Sequence, residues 1–170
     1  MYKKKIKNYQ IFSTIFVIIL GTILHFTYKL SGNNSFVAWF SAINESAFEH
    51  LKLAFFPMLL TTIIGYFYIG KKYSNFLCAK TIAIIFAMGF IVIFYFTYTG
   101  ILGNNIALID ISSFFIAVIL GEFLAYILTI NKIKCNKKLA IFILILIASS
   151  FIIFTYYTPD FGIFRTPNII

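Results

Sequence analysis

Residues 44–53 read NESAFEHLKL and gather Asn44, Glu45, Ser46, Glu49, His50 and Lys52 into ten positions of an otherwise apolar chain. An imidazole, two carboxylates and an ammonium this close together can exchange protons or hold a cation. With a second imidazole they can also ligate a metal. That imidazole is His25, the only other histidine. His25, His50 and a carboxylate from Glu49 or Asp110 would give Zn²⁺ two nitrogen ligands and one oxygen ligand, with a position left for an activated water. The spacing itself is weak support, because nothing in the string resembles HExxH and the two histidines fall in different apolar runs.

A plainer reading competes for the same string. Ser46 to Glu49 fits the capping box S-x-x-E, in which both side chains satisfy free backbone N–H groups at a helix start. That accounts for Ser46 and Glu49 but leaves His50 and Lys52 unexplained. Alternatively, no glycine or proline interrupts Ser35 to Phe56, so one helix could run through the motif. Glu45, Glu49 and Lys52 would then share a face, with Ser46, His50 and Leu53 on the next. FVAWF, with the only tryptophan, Trp39, suits an interfacial helix over 36–48. Pro57 lacks the N–H that would bond the Leu53 carbonyl, which predicts a bend in the helix below His50.

The elements that must position these groups follow from composition. A hydrophobic fraction of 61% against 11% charged, with a mean hydropathy of +0.96, marks an integral membrane protein rather than a soluble domain. Charged and turn-forming borders divide the chain into five spans of about 9–30, 51–70, 76–99, 106–130 and 139–158, each close to the ~20 residues that cross a bilayer. The expected fold is all-α, a single domain of five transmembrane helices over 1–170. A β-barrel is disfavoured because the runs do not alternate. The basic residues set an orientation. Lys3, Lys4, Lys5 and Lys7 precede the first span, Lys71, Lys72 and Lys80 surround the second turn, and Lys132, Lys134, Lys137 and Lys138 fill the fourth. This positive-inside pattern predicts a multi-pass cell-membrane protein with a cytoplasmic N-terminus and an extracellular C-terminus. Net charge of +9 then reflects attraction to lipid headgroups, with membrane lipids as partners and no nucleic acid.

On that orientation His25, Glu45, Glu49, His50, Lys52, Tyr95, Tyr98 and Asp110 all belong to the outer leaflet, where ionisable groups usually face the bundle interior. Convergence of His25, Glu49, His50 and Asp110 is the expectation, with a tyrosine donating into the site. Glu122 stands apart. It lies twelve residues beyond Asp110, about 18 Å further along the helix, with Tyr126 as a candidate partner one turn on. Cys78 and Cys135 fall at the cytoplasmic ends, where thiols stay reduced, and read as structural.

The segment HFTYKLSGNNSFVAWFSAINESAFEHLKLAFFP, with NFLCAK, TYTGILG and DISSFF, resembles a family of small polytopic membrane proteins from low-GC bacteria that is a domain of unknown function. The resemblance covers most of the chain from His25 to Asp110, and N-E-S-x-x-E-H-x-K is its most distinctive part. It implies no activity. From the residues alone three classes stand open. One is binding or transport of a small polar or cationic solute, with Glu122 as inner gate; five short helices would then call for a homo-oligomer or a partner subunit. The second is an intramembrane enzyme, metal-dependent or using Glu49 and His50 as acid and base, that acts on a lipid or lipid-linked substrate. The third is a structural or accessory subunit in which the polar groups fix helix packing.

Overall fold

Continuous apolar runs in a solvent without hydrogen-bond partners must satisfy their backbone internally, which leaves the helix as the local structure. The computed structural model describes residues 2–167 and contains five long helices. They are α1 (Tyr2–Leu30), α2 (Ala47–Gly65), α3 (Phe76–Leu102), α4 (Ala107–Ile130) and α5 (Lys137–Tyr156). A π turn, Tyr66–Gly70, extends α2, and single 3₁₀ turns cover Val37–Trp39 and Gly162–Phe164. All five helices are long and apolar enough to cross a membrane.

The 36–48 stretch departs from the expected interfacial helix: only Val37–Trp39 forms a turn of 3₁₀ helix, and the chain then bends to Ser46. The cause is local. Ser46 takes an extended backbone and its Oγ accepts from the Glu49 N–H at 3.4 Å, so α2 starts inside the motif. The Asn44 Oδ1 accepts from the Ser46 N–H at 2.9 Å and fixes the preceding turn. Only half of the capping box forms, because the Glu49 carboxylate reaches elsewhere.

α3 and α4 share the most extensive packing, α1 lies against α2 and α4, and α5 closes on α3 and α2. The centre is apolar and made largely of small side chains: Val17, Ala54, Phe55, Met58, Ala83, Ala87, Ala117 and Val118 are fully buried. Large apolar side chains such as Ile15, Ile19 and Ile23 on α1, and Phe142, Ile145 and Leu146 on α5, face outward. Lipid tails are as apolar as leucine, so that outward face costs nothing, and close van der Waals contact holds the helices instead.

α2 stays helical through Pro57. The Leu53 carbonyl that Pro57 deprives of its helical N–H packs on α1 at Gly21, where a Cβ would lie 2.5 Å from that oxygen and 2.6 Å from the Phe114 ring. Gly21 is thus the residue type that lets the released carbonyl be covered.

The lysine-rich segments gather at one end. Lys5 lies over the Tyr68 ring at 4.0 Å and Lys137 over Tyr66 at 5.8 Å, and a cavity of about 200 Å³ between the α2–α3 and α4–α5 turns is lined by Lys72 and Lys132. Lys80 is not among them: it lies on α3 and is fully buried. Nor are the cysteines reduced. Cys78 and Cys135 form a disulfide with Cα atoms 5.6 Å apart, because the Asn75 side chain already draws that end of α3 onto α4, donating from Nδ2 to the carbonyls of Leu128 at 2.9 Å and Thr129 at 3.2 Å.

Two measurements check this architecture. Maleimide titration of the denatured protein should find no thiol before reduction and two after it; two thiols at the outset would remove the clamp. Gly21→Leu should destabilise the bundle by more than the 1–3 kcal/mol typical of overpacking, read as a lower melting temperature in detergent, and an unchanged melt would reject the close α1–α2 approach.

Candidate functional site

The end of the bundle opposite the lysines carries three polar groups. Their assembly begins with Ser41, a fully buried residue of the 31–46 loop. Its Oγ accepts from the Thr27 hydroxyl and the Tyr28 N–H, both at 3.0 Å, and donates to the Leu24 carbonyl. This stitches the loop onto the last turns of α1, and Glu45 comes to lie beside His25 on α1 and His50 on α2.

The first group is His25, Glu45 and His50. The Nε2 of His50 lies 3.4 Å from the Glu45 carboxylate and the Nε2 of His25 lies 4.0 Å from the same oxygen, Oε2. The imidazoles stack with centroids 5.2 Å apart. The Nδ1 of His50 is 3.0 Å from the Ser46 carbonyl. A carbonyl only accepts, so Nδ1 must carry a proton. Nε2 then either carries a second proton and donates to Glu45 or presents its lone pair toward the carboxylate. The second arrangement sets lone pair against negative charge unless a cation lies between them. Glu45 is itself held below the ordinary carboxylate range, first by the hydrogen bond from His50 and further by the charges of His50, His25 and Lys29, against a desolvation that pulls it up. It therefore stays ionised through the neutral range. One donor atom from each of the three residues falls within 4.8 Å of the others, close enough to hold a metal ion.

The second group is buried. Lys52 donates to the Glu49 carboxylate at 2.7 Å, to the Ala38 carbonyl at 2.9 Å and to the Thr155 hydroxyl of α5 at 2.5 Å. Glu49 also accepts the Ile43 N–H at 3.0 Å. Three ammonium protons thus meet three oxygens, and the loop, α2 and α5 are tied at one point. The third group is Asp110, which accepts from the Tyr98 hydroxyl and, at 3.3 Å, from the Asn105 amide. Tyr95 packs edge-on against Tyr98, with centroids 6.0 Å apart.

The expected convergence of His25, Glu49, His50 and Asp110 is therefore redistributed. The histidines do meet, but the carboxylate between them is Glu45; Glu49 is turned to Lys52, and Asp110 is turned to Tyr98. Glu122 has a partner that the spacing did not suggest. Lys80 on α3 lies 2.6 and 2.7 Å from its two oxygens, whereas Tyr126 packs in the aromatic cluster around Tyr9 and Phe76. Lys80 could have been noticed as a lysine standing several residues inside an apolar run. Ser41 and Thr155 carried no such signal.

Lys52 and Glu49 are 0% and 3% exposed, so removing one charge strands the other away from water. Lys52→Ala should cost about 3–5 kcal/mol of stability and Thr155→Val about 1 kcal/mol, measured by denaturation in detergent. A Lys52→Ala protein as stable as the wild type would reject a packing role for this pair.

No curated protein and no solved structure matches the chain. The family model that does match spans residues 1–168, and the protein belongs to that family, the family of unknown function DUF6512.

Proposed function

We propose that this is a bacterial cell-membrane protein that binds a divalent transition metal cation of the Zn²⁺ class at His25, Glu45 and His50, on the outer face, to hold it or pass it inward. The reading narrows a solute site to a cation that two imidazoles and a carboxylate prefer. The observation that carries it is the convergence of three donor atoms within 4.8 Å, with His50 Nδ1 committed to the Ser46 carbonyl. That second contact fixes the tautomer that leaves Nε2 as the ligand, the usual arrangement around a metal-bound histidine. Lysines gathered at the opposite end support a cytoplasmic N-terminus, an extracellular C-terminus and an outward-facing site.

Each group has a role in this reading. Glu45 supplies the negative charge, and because its carboxyl is already held below the ordinary range in the metal-free protein it has no proton to lose on binding. The stacked imidazoles supply two nitrogens from two different helices, so an ion would clip α1 to α2. Asp110, in the first turn of α4, adds negative charge that attracts cations toward this end. The donor set also carries a second reading. Three protein ligands leave a tetrahedral ion one open position, where a bound water could be activated to attack a lipid headgroup. Release of a headgroup product by the metal-loaded protein would favour this enzyme reading, whereas metal appearing inside vesicles would favour passage.

Titration calorimetry of the purified protein with ZnCl₂, with metal counted by elemental analysis, tests the site. One ion per chain is expected. Glu45→Gln and His50→Ala should each weaken binding by about 100-fold or more, since each removes one of three ligands. Affinity should fall as pH drops from 7.5 to 5.5, because both imidazoles must shed a proton to bind metal and free imidazole titrates near about 6.5; Glu45, already depressed, contributes little to that loss. A wild type that takes up no metal, or a His50→Ala variant that binds as the wild type does, would overturn the proposal.

A further inference from the structure

The inner half of the bundle holds a second polar cluster that the outer site does not use. The Lys80 ammonium is surrounded by oxygens from three other helices. It lies 2.6 and 2.7 Å from the two oxygens of Glu122 on α4, 3.1 Å from the Ser13 hydroxyl on α1 and 3.3 Å from the Thr61 hydroxyl on α2. Ser13 also donates to Glu122 at 2.9 Å, and the Tyr9 hydroxyl donates to the Thr61 carbonyl. All this is sealed: Lys80 is 0% and Glu122 is 1% exposed. Three residues before Ser13, Gln10 is also buried, and neither its amide nitrogen nor its oxygen has a protein partner among the described residues. An unpartnered amide in an apolar interior is costly.

We infer that Lys80 and Glu122 form an inner cation site, in which the tethered ammonium holds the place of an exchangeable small inorganic cation. Three considerations support it. A packing role does not require charge, since well-packed apolar residues are often as stable as a buried ion pair. The cage offers four oxygens to one positive centre, and an ammonium is close in size to a K⁺ ion. The cluster also lies in line with the outer site: Thr61 is eleven residues beyond His50 on α2, about 16 Å along the axis. The fully buried side chains of Ala54, Met58, Ala83, Ala87, Ala117 and Val118 fill the interval. In this reading the packed apolar interval is the closed part of a passage between the two sites. The inference deepens the cation reading above and rests on it for the direction of movement.

The experiment separates the two. Lys80→Met leaves the Glu122 cage without its cation, so 100 mM KCl or NaCl should raise its melting temperature by roughly 5 °C over choline chloride at equal ionic strength. Lys80→Met/Glu122→Leu, with no charge to balance, should fold and show no such rise. A Lys80→Met melt indifferent to the inorganic cation would overturn the inner site. Should Lys80→Met not fold, the double variant decides. In vesicles containing a Zn²⁺-sensitive dye, it should bind metal at the outer site within about twofold of wild type yet pass it at least tenfold more slowly; uptake at the wild-type rate would overturn the inference. Wild-type vesicles that bind but never take up metal would overturn passage through the inner site and leave the outer binding site intact. A wild type that binds no metal while Lys80→Met responds to K⁺ would reject the outer site and keep the inner one.

Discussion

The Lys80–Glu122 contact is the constraint that sets how four helices of the bundle must be aligned. Two opposite charges sealed from water must lie together with their remaining hydrogen-bonding capacity filled, and here the filling groups come from α1 and α2. A shift of α3 or α4 by a residue would leave a bare charge in the interior, at a cost far above that of an apolar mismatch, and a shift of α1 or α2 would leave the pair short of a hydroxyl. Membrane helices gain little from burying leucine against leucine instead of lipid, so register has to be set by polar partners and close backbone approach. The Glu49–Lys52–Thr155 group does at the outer end what Lys80–Glu122 does at the inner one: it adds α5 and the 31–46 loop to the same framework.

Much of this fold is legible in the sequence because it follows from hydropathy. The five runs and the turns between them are dictated by which residues hydrocarbon tolerates, and helix ends fall within a few residues of their borders, apart from the amino-terminal extension of α1. The start of α2 is legible too, in Ser46 and its capping relation to Glu49. What hydropathy does not carry is which polar groups meet. Glu45 and Glu49 are four residues apart and chemically alike, yet one faces the histidines and the other faces Lys52. That choice is made by Ser41, whose contacts to Thr27, Tyr28 and Leu24 fold the loop back onto α1. A serine in a loop has no pattern to announce it. Lys80 was masked differently: it is near enough to the turn lysines to be grouped with them, and only the packing of α3 shows that it points inward.

The disulfide bears on orientation. Cys78 and Cys135 lie at the lysine-rich end, which the orientation proposed above would put on the reducing side of the membrane. Its geometric basis is independent of compartment, since Asn75 already holds the end of α3 against α4. The thiols would remain neighbours when reduced, and the bond closes only what packing has brought together.

α2 connects the chemistry at the two ends. It contributes His50, Glu49 and Lys52 to the outer groups and Thr61 to the inner one, and Pro57 lies between them. A proline within a helix removes one backbone bond and ordinarily leaves a carbonyl seeking a partner. Here the Leu53 carbonyl rests against Gly21, a contact that Cα–H groups can support weakly. The helix is thus least held at the point that separates the outer donors from the inner cage, and what covers that point belongs to α1, the helix that also carries His25 and Ser13. A change in the spacing of α1 and α2 at the outer end, such as an ion drawing His25 and His50 together, bears directly on the place where Pro57 leaves α2 without a hydrogen bond. The shared use of two helices by two sites is what makes mechanical coupling between them possible without a long chain of intermediaries.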